Sequence, residues 1–187
     1  LKNIEFLNTE YSTVKTYSAI VNYGNLNVEN SFFDNATGLR AGIILNYGNL
    51  TVNNSEFKNN TAKYYGGAIT NFGFANIVNS LFESNTAAEG EAILNTYDMF
   101  ISNSRFIDNN ISSNKYQKVE SLIDISSSYF TENSDIFVKD SGIYIKESYV
   151  TLINTSNSVV DISYSFINTY DFVNSRLSID DNLWCSN

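Results

Sequence analysis

The chain has 187 residues, enough for one domain with a substantial core, and carries a formal net charge of −9 from 11 Lys and Arg against 20 Asp and Glu. That balance excludes the basic footprint needed for nucleic-acid binding or polybasic attachment to a membrane surface, and 43% hydrophobic residues exclude a disordered tail. Proline and histidine are absent, while 29 asparagines stand among abundant serine, threonine, isoleucine, tyrosine and phenylalanine, a palette for many short strands joined by turns with left-handed backbone positions.

The chain opens in strand-like sequence, LKNIEFLN, and reads as a single domain over 1–187 excised from a longer protein. The first repeat, SAIVNYGNLNVENSFFDN (18–35), returns as GIILNYGNLTVNNSEFKNN (42–60), GAITNFGFANIVNSLFESN (67–85) and EAILNTYDMFISNSRFIDNN (91–110). Ile20, Ile44, Ile69 and Ile93 share one column, at intervals of 24, 25 and 24. Val28, Val52, Ile77 and Ile101 keep the same intervals, and so do Phe33, Phe57, Phe82 and Phe106. A fifth copy is in phase at Ile125, Ser128 and Phe130. Beyond it the period shortens to 17: Ile143, Val160 and Leu177 form one column, and Ile145, Ile162 and Ile179 another. In these shorter rungs the phenylalanine position passes to Val150, Ile167 and Trp184. Two regimes follow, rungs of 24–25 residues over 1–133 and of about 17 over 134–187.

Within each repeat the local period is two, with Leu50 and Val52 apolar against Thr51 and Asn53. Three short strand segments per repeat, roughly AIxN, LxV and SxF, make one coil of a solenoid. Leucine-rich and helical repeats lack this pattern. The predicted fold is therefore all-β: a right-handed single-stranded parallel β-helix of about eight rungs. In-register stacking predicts a core ladder of Phe33, Phe57, Phe82, Phe106 and Phe130. It also predicts two asparagine ladders that satisfy buried polar groups. One is Asn30, Asn54, Asn79 and Asn103, at a sharp left-handed turn; the other is Asn22, Asn46, Asn71 and Asn95, before the glycine corner at Gly24, Gly48 and Gly73.

GGAITN (66–71) together with FKNN, FESN and FIDN resembles the adhesin-like surface proteins of methanogenic archaea. More distantly, these motifs are similar to the GGAI and FxxN repeats of chlamydial polymorphic outer-membrane proteins. The ending DNLWCSN (181–187) looks like the NWWGxN close of the archaeal family, with Leu183 and Cys185 departing from it. The resemblance implies the same fold and a non-catalytic, extracellular cell-surface module that attaches to a molecule or glycan on host or microbial cells.

Chemistry finds little foothold in the residues themselves. Glycoside hydrolysis needs paired carboxylates in a groove, yet the position of Asp34 and Asp108 is held by Lys58 and Ser84 in the intervening copies. The NTD and GHG signatures of β-helical polygalacturonases are absent, as are a metal-ligand pattern and a cofactor motif. Cys185 has no partner for an internal disulfide, and no apolar run approaches membrane-spanning length. A β-helical polysaccharide lyase or glycoside hydrolase and a structural stalk stand as the alternatives to an adhesin. For binding, Tyr23, Tyr47 and Phe72 form an outward column, set against a purely stabilising ring stack. Variable loops follow each FxxN, and Tyr64 and Tyr65 stand out in one of them; NNISSNKYQKVES (109–121) is the longest. Six N-x-[ST] sequons, at Asn35, Asn49, Asn53, Asn59, Asn110 and Asn154, offer glycan attachment if the chain is exported. Open coil ends suggest end-to-end self-association.

Overall fold

A computed structural model describes residues 1–7, 18–114, 121–180 and 184–185. Among them every paired strand runs parallel to its neighbours, and the chain winds as a parallel β-helix. The second strand of each coil builds an eight-stranded sheet, from Asn25–Glu29 at one end to Arg176–Ile179 at the other. Register follows the sequence columns: Val28 pairs with Val52, Val52 with Ile77, Ile77 with Ile101 and Ile101 with Ile125. The shorter columns hold as well, with Ile143, Val160 and Leu177 in one line and Ile145, Ile162 and Ile179 in the next.

Inside, like stacks on like. The rings of Phe33, Phe57, Phe82, Phe106 and Phe130 are fully buried, with successive centroids 4.7, 4.9, 4.8 and 4.5 Å apart and nearly parallel planes. The spacing equals the interstrand distance, so each ring rides on the strand that carries it. Asn22, Asn46, Asn71 and Asn95 are buried, and each Nδ2 donates to the Oδ1 of the next at 2.7, 2.7 and 2.8 Å. At the corner beside them a Cβ on Gly48 would collide with the Gly24 carbonyl oxygen, and one on Gly73 with that of Gly48.

Four expectations need correction. Asn30, Asn54, Asn79 and Asn103 do take the left-handed conformation, at φ of 48–51°, but all four are exposed. Their amides bond across the surface, Asn54 to Asn30 and Asn79 to Asn53, and satisfy no buried group. An αL residue at a convex corner points its side chain outward, so the inward polar position is the next residue. There Ser31, Ser55, Ser80, Ser104 and Ser128 are buried, and each backbone N–H donates to the serine Oγ one coil on, at 3.1–3.2 Å. The strand ladder breaks at such a corner, and these hydroxyls accept the N–H groups it leaves over. At the other corner the same rule puts Asn60, Asn85 and Asn109 in a second buried amide ladder beside that of Asn22 to Asn95.

Second, the segment 109–121 is loop only in part. Ile111–Asn114 is a strand, with Ile111 stacked between Ile93 and Ile136. The strand opens a coil, and the extra length of this coil falls in 115–120, outside the described residues. Third, the shorter rungs have lost a corner. Tyr129–Lys139, Tyr149–Ser156 and Phe166–Val173 each run from the third strand of one coil into the first strand of the next. Fourth, Cys185 and not Trp184 pairs with Ile167, while Trp184 pairs with Phe166. The last step in register is therefore 18 residues instead of 17. The rest of the closing DNLWCSN motif lies outside the described residues.

Candidate functional site

Tyr23, Tyr47 and Phe72 line up on the outside, next to the buried asparagine column, as alternation requires. Tyr23 is 78% exposed. Its ring stacks on Tyr47 at 5.1 Å and 5°, and Tyr47 on Phe72 at 5.3 Å and 14°. Neighbours thus cover both faces of the middle ring. A pyranose packs its C–H face against the electron-rich face of a ring, and this column spends ring faces on its own stacking.

The loops after the third strand are variable in sequence yet ordered by the same stacking. Thr37–Gly38 pairs with Thr61–Ala62, Thr61 bridges to Thr86, and Tyr65 bridges to Glu89. Gly66 and Gly90 turn these loops back into the helix at φ of +46° and +64°, a region glycine reaches without strain. On this ledge Tyr64 is exposed and Tyr65 half-buried, with ring centroids 6.1 Å apart and planes at 45°. The Lys63 ammonium lies 5.2 Å from the Tyr64 ring centroid. The ledge and the Tyr23 stack occupy different edges of the coil, so the five aromatic candidates make two surfaces and not one.

A third feature is invisible in the repeat pattern. Glu91, Asp108 and Asp135 line one cleft of about 380 Å³ together with Asn110, Thr86 and Phe137. The Glu91 carboxylate accepts from the Asn110 backbone N–H at 3.2 Å, while the Asn110 side chain accepts from the Glu91 N–H at 3.0 Å. Burial raises the Glu91 carboxyl above its ordinary range, the Asn110 bond opposes this, and the charges of Asp108 and Asp135 add to the rise. Burial likewise raises Asp135. The three acids occupy unlike positions in their repeats, so they form no acidic column. Only the strand Ile111–Asn114, which brings Asn110 and Asp135 over Glu91, assembles them. Among the described residues no group of three or more His, Cys, Asp or Glu is arranged to hold a metal ion.

Comparison with protein-family models, curated proteins and solved structures returns no match. The functional reading therefore rests on the residues. Among the sequons, Asn35, Asn49 and Asn59 are exposed, and Asn53, Asn110 and Asn154 are half-buried. No helix among the described residues is long and apolar enough to cross a membrane.

Proposed function

We propose that this chain is a non-catalytic module of an extracellular, cell-surface adhesin or adhesin-like protein, attaching to a glycan or another surface molecule of host or microbial cells. One observation carries the reading. The recurring residues are absorbed by the scaffold, as ring stacks, amide ladders and serine ladders, while non-recurring side chains such as Tyr64 and Tyr65 are held outward on a laddered ledge. A rigid rod with a variable, pre-ordered surface suits attachment, because little conformational entropy is lost when a partner docks. The test is adhesion of the labelled chain to cells and to immobilised glycans. Saturable binding is the expected result; a chain that binds no cell and no glycan is a spacer.

The acidic cleft favours a second reading, a polysaccharide-processing enzyme. Glycoside hydrolysis uses a pair of carboxyls in a groove, one of them raised by its surroundings, and burial raises Glu91 in a cleft it shares with Asp108 and Asp135. Under this reading the chain releases reducing ends from a polysaccharide and Glu91→Gln abolishes the release. Unchanged release in Glu91→Gln means that the cleft is not catalytic.

A further inference from the structure

The outer face of the eight-stranded sheet carries a column absent from the repeat pattern. In register, Asn27, Thr51, Asn76, Phe100, Asp124 and Tyr144 succeed one another. They face out because their strand neighbours Ile77, Ile101 and Ile125 are buried. The early coils place only small polar groups here, and then two aromatics flank a carboxylate. Phe100 and Tyr144 are 37% and 43% exposed, two coils or about 10 Å apart.

Phe74 lies two residues before Asn76 and on the same face. Its ring meets Phe100 at 5.5 Å, but the planes diverge by 39°, so the pair opens as a wedge where the Tyr23 column closes as a stack. A shallow concavity of about 430 Å³ sits there, lined by Phe74, Asn76, Phe100 and Asp124 with Ser102 and Ser126. On the far side of Asp124 a second concavity lies against Tyr144, where Gly142 stands between Leu122 and Val159 and leaves the column without a side chain. From Phe74 to Tyr144 the surface covers three interstrand spacings, about 14 Å.

We propose that this face is the binding groove for a short uncharged oligosaccharide. The proposal rests on the attachment reading above and gives it a site and a ligand class. Rings with open faces receive the C–H side of a pyranose. Hydroxyl groups need fixed polar partners, and among the described residues the Asn76 amide and the Asp124 carboxylate form no hydrogen bond. Surface amides elsewhere, such as Asn49, Asn54 and Asn59, are tied to neighbouring coils. Among the described residues the charged side chains lining the two concavities are Asp124 and Asp140, with no cation. A uronate or sulfated glycan is repelled there, and a neutral one is not.

The experiment measures binding of chitotriose, cellotriose and maltotriose, with trigalacturonate as the anionic comparator. It is repeated on Phe100→Ala, Tyr144→Ala and the isosteric Asp124→Asn, each checked for the parent's circular dichroism. The expected result is binding of at least one neutral trisaccharide, no binding of trigalacturonate, and a loss of about tenfold or more in each aromatic variant. Should Phe100→Ala misfold, weakened binding in Asp124→Asn locates the sugar in the groove equally well. Neutral-sugar binding that persists in these variants, or that disappears in Tyr64→Ala, overturns the groove and leaves the attachment reading standing. So does adhesion to cells without binding of any trisaccharide. Absence of both fails the attachment reading itself.

Discussion

Asn71 shows what a single residue does in this fold. Its Oδ1 accepts from Asn46 and its Nδ2 donates to Asn95, all three side chains being fully buried. Asn46 Nδ2 keeps the Gly48 and Phe74 carbonyls, but removing the Asn71 amide leaves the Gly73 N–H without its acceptor and the Asn95 Oδ1 without its donor, each costing about 1–3 kcal/mol. Asn71→Ala is therefore expected to destabilise the chain by about 2–4 kcal/mol in chemical denaturation. Phe82, stacked on both faces and without exposed surface, loses about 3–5 kcal/mol on conversion to alanine. Asn79→Ala lies at an exposed αL corner and costs about 1 kcal/mol, chiefly through backbone strain, since its bond to Asn53 is exposed to water. That ordering, with the surface asparagine well below the buried one, separates the exposed corner column from the buried ladder.

Among the elements, the joint around Ile111–Asn114 is the irregular one, and it gathers the acids. The Glu91 and Asp135 carboxyls are raised in the folded chain, and Asp108 adds negative charge beside Glu91, with no cation among the described residues that line the cleft. A carboxyl raised on folding contributes stability that is fully present below its unfolded range and is lost as pH rises through the folded value. The chain is thus penalised here at neutral pH and relieved on mild acidification. Glu91→Gln with Asp135→Asn is expected to raise the melting temperature at pH 7 and to leave it unchanged at pH 3. An equal rise at both pH values means that packing, and not charge, is responsible.

Over the whole molecule, stability in a solenoid is a sum over neighbouring coils, and the coils are unequal here. The phenylalanine stack ends at Phe130, giving way to Val150 and Ile167. The first amide ladder ends at Asn95, whose next neighbour is Ser113. Tyr170, Leu177 and Ile179, in inward columns, are exposed at the last described coil. Native-state hydrogen exchange is expected to find the lowest protection in 134–180 and the highest around the coils of Phe57 and Phe82. Uniform protection along the rod contradicts this.

Period and column were legible in the sequence because stacking demands the same residue type at each recurrence: Ile20, Val28 and Phe33 announce their columns by repeating. The serine column was visible as the Ser of each SxF segment, but its burial and its role depend on the side of the corner it faces and on hydrogen bonds that spacing does not reveal. What only the tertiary structure decided is everything that breaks the period. Whether Asn30 faces in or out depends on the side of a corner to which an αL residue turns. Whether Ile111 is loop or strand depends on which neighbour it pairs with, and the slip at Cys185 on one added residue. Phe74, Phe100 and Tyr144 come from different repeats, and Phe74 stands two residues off the column that Phe100 shares with Tyr144, so the repeat pattern marks none of them; parallel stacking carries all three onto one face.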